Sequence, residues 1–321
     1  MPTPARTADV PPQPWTGRFD GAGHRRWWQA VTPYPAHPIP PQPPAAPSGA
    51  RPAVILGFAS DAGVRRNKGR PGAAAAPHAI RAALGPLAFH LAREVQDAGD
   101  VTVDGDALEA GQSRAGQAIT GLLDAGALPV VLGGGHETAF ASYLGLAGSA
   151  GVRDGLRVGV LNLDAHFDLR DEPVPSSGTP FLQMARAEAA AGRELQYAVV
   201  GISEPNNTAA LFRTAADLGV DYLLDEDCSA EAAQAFVAAF LARVDALYLT
   251  IDLDVLPASE APGVSAPAAY GVPLPVISTV CRQVAGSGKL LLLDVAELNP
   301  EFDVDGRTAR VAARLINTLL R

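Results

Sequence analysis

Val158-Gly-Val-Leu-Asn-Leu-Asp-Ala-His-Phe-Asp168 is the most informative stretch of this chain, because an apolar run leads directly into three ligand-type side chains at alternate positions. Alternate residues of an extended chain point the same way, so these three side chains can project from one face. Two comparable segments, Gly133-Gly-Gly-His-Glu137 and Asp252-Leu-Asp254, also end strand-like runs. Together the three segments supply two imidazoles and four aspartates: His136, His166, Asp164, Asp168, Asp252 and Asp254.

The grouping of these carboxylates points to bound metal. Clustered carboxylates repel one another strongly unless cations neutralise them, and two divalent ions would balance four of them in charge. Oxygen-rich sites with a few imidazoles suit ions such as Mn²⁺, whereas a structural zinc site more often uses cysteine. The alternative is a set of turn, capping or core residues. The spacing of two and the cost of burying unpaired carboxylates favour metal binding.

From residue 53 onwards, short apolar runs alternate with Ala/Leu-rich helical stretches, which is typical of a parallel sheet flanked by helices. Strands are predicted near 53–58, 129–132, 157–163, 196–201, 220–224, 246–251 and 289–294, and helices near 77–84, 106–125, 137–147, 179–191, 206–218, 229–243, 274–285 and 307–320. We therefore predict an α/β fold with a mostly parallel central sheet of about eight strands and helices on both faces. In such sheets ligands bind beyond the carboxyl ends of strands, where all three acidic segments lie.

Residues 1–50 differ from the rest, because they hold all three tryptophans and nearly half of the 28 prolines. Proline this dense blocks regular helix and interior strand. A disordered tail is one interpretation, but exposed indole is costly, so we expect an ordered arm packed on its own or a neighbouring subunit. Residues 51–321 contain no linker and are predicted to form a single domain.

Composition limits the classes of partner. The net charge of -9 and pI near 5.1 argue against nucleic acid and against an anionic membrane surface, so a small-molecule partner is expected. No apolar run approaches the roughly 20 residues of a membrane span, and the N-terminus lacks the apolar core of a signal peptide. The two cysteines, Cys228 and Cys281, offer no disulfide framework and suit buried thiols in a reducing cytoplasm.

Charged residues outside the metal segments suggest a substrate with both signs of charge. Glu297 ends another strand-like run, where it is either a cap or a carboxylate that holds a cationic C–N group of the substrate. The loop after the first strand is crowded with cations, although lysine occurs only twice in the chain: Arg65, Arg66, Lys68 and Arg70. This loop is either a solvated basic surface or the binding site of an anionic substrate, and Arg170, two residues beyond Asp168, favours the second.

The glycines Gly133-Gly134-Gly135 lack the spacing of a dinucleotide or P-loop fingerprint. A tight turn that lets His136 reach the site is the better interpretation of this segment.

These segments resemble the ureohydrolase superfamily of arginases and agmatinases, and within it most closely the formimidoylglutamase family. The resemblance runs in the family's order between residues 57 and 300. The matching stretches are Gly63-Val-Arg-Arg-Asn-Lys-Gly-Arg70, Gly133-Gly-Gly-His-Glu137, Asn162-Leu-Asp-Ala-His-Phe-Asp-Leu-Arg170, Ser177-Gly-Thr-Pro-Phe181, Gly201-Ile-Ser-Glu-Pro-Asn-Asn-Thr208, Thr250-Ile-Asp-Leu-Asp-Val-Leu-Pro257 and Ala261-Pro-Gly-Val-Ser-Ala-Pro267.

The resemblance implies a three-layer arginase-like fold, a homo-oligomer and two Mn²⁺ ions per subunit. By that resemblance one ion is held by His136, Asp164, Asp168 and Asp252, and the other by Asp164, His166, Asp252 and Asp254. Arg170 and Asn206 fall at positions that contact the amino-acid part of the substrate in arginases, and both changes favour a more anionic substrate.

One departure separates this chain from arginases and agmatinases. Those enzymes carry a further His after the Asp-x-His-x-Asp segment, whereas here no His follows His166 and the matching segment reads Ser176-Ser-Gly-Thr-Pro180. The resemblance then implies a hydrolase that cleaves N-formimidoyl-L-glutamate to L-glutamate and formamide in histidine degradation, by attack of a metal-bridging hydroxide. Asp168 or metal-bound water is the expected proton carrier. The alternatives are a related hydrolase of a guanidino acid and a non-catalytic protein that keeps the metal-stabilised fold.

Overall fold

A nine-stranded parallel sheet forms the centre of the computed structural model, which describes residues 7–35 and 50–321. The strands are β1 (Thr32–Pro33), β2 (Ala53–Ala59), β3 (Val95–Thr102), β4 (Leu128–Leu132), β5 (Val158–Leu163), β6 (Gln196–Ile202), β7 (Asp221–Leu224), β8 (Ala246–Asp252) and β9 (Leu290–Ala296). Their order across the sheet is β1-β3-β2-β4-β9-β8-β5-β6-β7, and all pairs are parallel. The predicted fold class is confirmed, with nine strands in place of about eight.

Helices cover both faces of the sheet. They are α1 (Trp27–Ala30), α2 (Ala62–Arg66), α3 (Ala76–Leu84), α4 (Leu108–Asp124), α5 (Thr138–Gly148), α6 (Ala150–Arg153), α7 (Pro180–Ala190), α8 (Ala209–Asp217), α9 (Ala230–Arg243), α10 (Leu274–Gly286) and α11 (Arg307–Leu319). Helices α3, α9, α10 and α11 pack on one face, and α4, α5 and α7 on the other. Within residues 7–35 and 50–321, no helix has the length and apolarity needed to cross a bilayer.

Both faces of the central strands are buried, which explains their continuous apolar sequences. In β2, Ile55 enters the core on one face, while Val54 and Leu56 enter the core on the other. In β8, Leu249 likewise enters the core on the first face and Tyr248 the core on the other. Each such side chain contributes about 1.5–3 kcal/mol on full burial, so this alternation holds the two helical layers to the sheet.

Strand β3 was not predicted, because its sequence Val-Gln-Asp-Ala-Gly-Asp-Val-Thr reads as a polar loop. In the structure the Asp97 carboxylate accepts hydrogen bonds from Arg81 Nε at 2.8 Å and Nη2 at 2.9 Å, and from Trp15 Nε1 at 2.7 Å. These partners satisfy a carboxylate that would otherwise be costly to bury. They lie far away in the chain, so the local pattern does not show them.

The described part of the N-terminal arm packs against the chain's own sheet. Trp27 is fully buried, and its indole Nε1 donates to Asn317 Oδ1 at 3.0 Å. Trp15 stacks on Trp27 with ring centroids 6.4 Å apart, and β1 pairs with β3. The arm thereby covers the edge of the sheet, which protects it from pairing with another chain. Residues 1–6 and 36–49 of the predicted arm lie outside the described residues, and the division of the chain at residue 50 stays a prediction.

We expect Trp27→Phe to destabilise the fold by about 1–3 kcal/mol, because it leaves Asn317 Oδ1 buried without its donor. Urea unfolding of the metal-free protein measures this free energy. Trp28→Phe is the control, since Trp28 Nε1 donates to Arg18 O at an exposed position and its loss should cost below about 0.5 kcal/mol. Equal losses from the two variants would contradict the anchoring role of Trp27.

Candidate metal centre

The carboxyl ends of four neighbouring strands meet at the centre of the sheet, in the order β4, β9, β8 and β5. Each of these strands leads into one of the predicted segments. His136 follows β4, Glu297 follows β9, Asp252 ends β8, and Asp164 follows β5. Because the strands are parallel, all four ends lie at one edge, the position where α/β sheets bind ligands.

The six predicted metal ligands come together in two groups. One group contains His136, Asp164, Asp168 and Asp252, and the other contains Asp164, His166 and Asp254. Within each group the ligand atoms lie within 4.8 Å of one another. Asp164 belongs to both groups, so it can bridge two ions.

The distances around His136 show how tightly the first group converges. His136 Nδ1 lies 2.9 Å from Asp168 Oδ2, 3.1 Å from Asp164 Oδ2 and 3.2 Å from Asp252 Oδ2. Asp252 was predicted to contact both ions, but the structure groups it with the first set alone, where its Oδ1 accepts the Asp254 N–H at 2.8 Å. One oxygen of Asp252 is therefore already engaged by the backbone.

In the second group His166 Nδ1 lies 3.1 Å from Asp254 Oδ2 and 3.5 Å from Asp164 Oδ1. The His166 side chain is 24% exposed, whereas that of His136 is 1% exposed. The second group is thus the smaller and the more accessible of the two.

The donor set fits divalent ions. His136 Nε2 lies 3.0 Å from Thr250 Oγ1, which suits a protonated Nε2 that donates to the hydroxyl. That tautomer leaves the lone pair of Nδ1 facing three carboxylate oxygens, and the buried Nδ1 has no aligned hydrogen-bond partner. A cation between these atoms removes the repulsion, and a ligand histidine with its second nitrogen hydrogen-bonded is the usual arrangement at metal sites.

The pKa values show the same electrostatic conflict. Burial raises the pKa of Asp252 well above its ordinary value, and Asp254 and Asp164 add to the effect. Burial alone would lower the pKa of His136, but its carboxylate neighbours raise it well above the ordinary value. Protons therefore collect where the carboxylates converge, and divalent ions can take their place.

Three residues at this site have a strained backbone. Among the described residues, four non-glycine residues have positive φ: Lys68 (60°), Asp168 (48°), Glu297 (69°) and Asp305 (54°). The first three line one cavity of about 330 Å³ above the metal groups. Residues held in this region of φ cost energy and concentrate at functional sites, so the strain favours a role for all three.

The cavity contains most of the predicted substrate contacts. Five of them line it: Lys68, Arg70, Arg170, Asn206 and Glu297. Arg65 and Arg66 do not. Arg65 is ion-paired with Asp61 and donates to Gly105 O at 2.7 Å, whereas Arg66 Nη1 lies 2.7 Å from Glu109 Oε1.

Arg65 and Arg66 were predicted to contact the substrate directly, but neither side chain lines the cavity. Both extend from α2 towards residues 105–109, at the start of α4 and away from the cavity, because acidic and carbonyl groups there satisfy their guanidiniums. The bond to Glu109 raises the pKa of Arg66. These two side chains therefore anchor α2.

Arg70 lines the cavity, but its guanidinium is engaged elsewhere. Its Nε donates to Ser265 O at 3.0 Å, its Nη2 bonds Val264 O, and its guanidinium carbon lies 4.0 Å from the centre of the Phe302 ring. Arg70 thus ties its loop to the loop of residues 264–265. Within the described part of the chain, no hydrogen bond or ion pair occupies the Lys68 ammonium. Arg170 is half exposed, with Glu172 3.7 Å away.

Both the side chain and the backbone of Glu297 are hydrogen-bonded within the site. Its Oε1 accepts the His136 N–H at 2.8 Å, and its own N–H donates to Gly134 O at 2.7 Å. Burial raises the pKa of Glu297 to about 8, and the neighbouring Glu137 adds to the rise. A cationic group of a substrate would counter this effect, which suits the predicted role of Glu297.

Comparisons with known proteins agree with this geometry. A sequence model of the arginase family matches residues 51–321. The chain belongs to the arginase family. Among its relatives, the formimidoylglutamase of Nocardia farcinica is 58% identical over 308 residues, covering 95% of each chain. The formimidoylglutamase of Rhodococcus jostii is 56% identical, covering 97% of this chain and 96% of the relative.

Solved structures of arginase-family proteins have the same fold. The Bacillus subtilis formimidoylglutamase gives a TM-score of 0.81 at 20% identity and covers 95% of this chain and 93% of its own. The Trypanosoma cruzi formiminoglutamase, solved with Mn²⁺, gives a TM-score of 0.75 at 26% identity and covers 84% of this chain and 92% of its own. The predicted resemblance to formimidoylglutamases, and with it the prediction of a hydrolase of this family, is confirmed.

The arginase-family site also contains a residue to which the sequence reasoning assigned no role. Glu137 is fully buried, and its Oε1 accepts hydrogen bonds from Ser60 Oγ and Gly63 N, both at 2.8 Å. A Cβ at Gly63 would lie 2.5 Å from Glu137 Oε2. Glu137 therefore joins the His136 segment to α2, the helix that leads to Lys68. Its place inside the Gly-Gly-Gly-His-Glu motif was the available signal.

Proposed function

We propose that the protein hydrolyses N-formimidoyl-L-glutamate to L-glutamate and formamide, using two Mn²⁺ ions. The observation that carries the proposal is the combination of two metal-ligand groups with a cavity in which Lys68 and Arg170 are the cations available to a ligand. The names of the relatives, at 58% and 56% identity, support the choice of substrate. The Mn²⁺ in the structure of the Trypanosoma cruzi protein supports the choice of metal.

The protein's own ligands would hold the two ions. His136, Asp164, Asp168 and Asp252 would hold the first, and Asp164, His166 and Asp254 the second. When bound, a pair of divalent ions acidifies water near neutral pH and stabilises the negative charge that develops during hydrolysis.

The charges of the substrate match those of the cavity. N-formimidoyl-L-glutamate carries two carboxylates and one cationic formimidoyl group. We propose that Lys68 and Arg170 bind the carboxylates, with Asn206 as a hydrogen-bonding neighbour, because ammonium and guanidinium groups bind carboxylates through charge-assisted hydrogen bonds. Glu297 would hold the formimidoyl group, placing the carbon to be attacked beside the metal ligands.

The leaving nitrogen must gain a proton when glutamate is released. We propose the Asp168 carboxyl as its carrier. Asp168 lines the cavity and its Oδ2 lies 2.9 Å from His136 Nδ1, so this carboxylate can take a proton from water at the site and pass it to the leaving nitrogen. The downstream His of arginases has no counterpart here. The matching segment places Ser177 in the cavity lining, where its Oγ accepts from Asn67 Nδ2 at 3.1 Å.

From the family resemblance we further propose that the protein acts in histidine degradation, lies in the cytoplasm and forms a homo-oligomer.

An assay of the Mn²⁺-loaded protein tests the reaction directly. We expect equimolar glutamate and formamide from N-formimidoyl-L-glutamate, identified by NMR, and little or no urea from arginine, agmatine or guanidinobutyrate, because their tails lack the second anion that Lys68 and Arg170 would bind. Metal-stripped protein is the control. Urea release from any of these three compounds at a kcat/KM above that for formimidoylglutamate would overturn the substrate assignment, and no turnover of any compound would favour a non-catalytic role.

A further inference from the structure

The side-chain amide of Asn207 makes hydrogen bonds to the backbone of the segment that carries two of the metal ligands. It is buried, and it directly follows the short helical turn at Glu204–Asn206. Its Oδ1 accepts the Phe167 N–H at 3.1 Å, and its Nδ2 donates to Ala165 O and to Ser203 O, both at 2.9 Å. Ala165 and Phe167 are the residues on either side of His166, so the amide of Asn207 holds the ligand's backbone from both sides.

The segment held by Asn207 has no regular structure of its own. Strand β5 ends at Leu163, so residues 164–168 lie beyond its ladder of hydrogen bonds, and Asp168 has a φ of 48°. The backbone groups of this segment must therefore find individual partners. Phe167 O accepts from Tyr197 OH at 3.1 Å, and Asp168 O accepts from Phe181 N at 3.3 Å. Around His166 itself, the His166 N–H donates to Asp164 Oδ1 at 2.6 Å and the Ser203 N–H donates to Ala165 O at 3.0 Å, while Asn207 bonds the residue on each side.

The two metal groups do not depend equally on the hydrogen bonds of Asn207. The first has four ligands, and its His136 is fixed by the Thr250 contact at 3.0 Å and by the edge-on Phe181 ring at 5.4 Å. The second has three ligands, and its His166 is partly exposed. The position of His166 therefore rests largely on its backbone.

We propose that Asn207 is a positioning residue for the second metal ion, the one held by Asp164, His166 and Asp254. This inference rests on the proposed two-ion function. Both Asn206 and its neighbour Asn207 line the cavity, but the Asn207 amide is engaged by the backbone of residues 165, 167 and 203. Asn207 therefore differs from Asn206 by its hydrogen bonds to the metal-binding segment.

The variant Asn207→Leu tests the inference, because leucine keeps the approximate shape of asparagine and removes all three hydrogen bonds. Calorimetric titration of metal-stripped protein with Mn²⁺ is the measurement. We expect wild type to bind two ions, and the variant to bind the second ion about 10- to 100-fold more weakly, the usual effect of losing a group that orients a metal ligand. Affinity for the first ion should remain close to that of wild type.

Asn206→Leu is the matched control, since it changes the same residue type in the same loop and should leave both metal affinities unchanged. Asn207→Ser, which removes the amide but keeps a polar side chain, is expected to show the same selective effect at smaller size if the leucine variant does not fold. Equal weakening of both ions, unchanged affinities, or a wild-type stoichiometry of one would each overturn the proposal. Because the readout is metal binding without substrate, failure to turn over formimidoylglutamate would count against the proposed function and leave this inference standing.

Discussion

Asp164→Asn is expected to remove both metal ions and to lower kcat by at least about 10³-fold, since several kcal/mol of transition-state stabilisation come from the metal pair. Asp164 is the ligand common to both groups, so its charge is lost from each. Elemental analysis should show metal content falling together with activity.

The fold should survive this change. Asparagine has the shape of aspartate. Asn162 Oδ1 is buried without a hydrogen-bond partner among the described residues. If the side-chain amide of Asn162 rotates, this oxygen can accept a hydrogen bond from the amide introduced at position 164. Removing one of several buried carboxylates also relieves repulsion in the metal-free protein. We therefore expect the Tm of the metal-free variant to equal or exceed that of metal-free wild type. Adding Mn²⁺ should stabilise wild type by about 2.7 kcal/mol for each ion bound at 100 times its Kd, and the resulting rise in Tm should disappear in the variant.

Asp245→Asn is the control for this experiment. Asp245 is an exposed aspartate paired with Arg157 at 2.9 Å, and its replacement should leave metal content and turnover unchanged. Two bound ions and near-normal turnover in Asp164→Asn would show that the two groups do not share this ligand.

Lys68→Met and Arg170→Met are each expected to raise KM for formimidoylglutamate by about 10- to 150-fold, since a charged hydrogen bond is worth about 1.5–3 kcal/mol. Methionine keeps much of the length of either side chain and removes its charge. Steady-state kinetics of the Mn²⁺-loaded variants measures the change, and metal content should equal that of wild type.

Arg65→Met and Arg66→Met are the matched controls. They remove a cation from α2, which directly precedes Lys68, but Asp61 and Glu109 already engage these guanidiniums outside the cavity. Their KM should stay within about threefold of wild type, because both guanidiniums lie outside the cavity lining and are already paired with carboxylates there. An unchanged KM in both Lys68→Met and Arg170→Met would move the carboxylate site elsewhere.

Local pattern was sufficient to predict seven strands, β2 and β4 to β9, and the convergence of the metal ligands. An apolar run followed by acidic residues is visible within a dozen positions, and parallel strands bring their ends to one edge. Strand β3 was missed because the groups that satisfy Asp97, namely Arg81 and Trp15, lie outside any local window. The missed roles of Glu137 and Asn207 have the same cause, since both act through backbone contacts with distant segments.

The four cations after the first long strand, Arg65, Arg66, Lys68 and Arg70, show a different limit of prediction from sequence. Its composition indicated a positive site, but all four cations looked alike in the sequence. Their roles depend on which of them meets an acidic or carbonyl partner, and Glu109 lies 43 positions from Arg66. Only the folded chain separates Lys68, which faces the cavity without a partner among the described residues, from Arg65, Arg66 and Arg70.

The position of β9 has a consequence for how the site comes into being. Strands β1 to β4 form one side of the sheet and β5 to β8 the other, and β9, residues 290–296, is the seam between β4 and β8. His136 follows β4, whereas Asp252 ends β8, so the two have no fixed separation before the seam closes. Pairings of such long sequence separation form late and slowly. During synthesis the predicted metal ligands would therefore stay in two separate halves until residues 290–296 have emerged and β9 can pair with both β4 and β8.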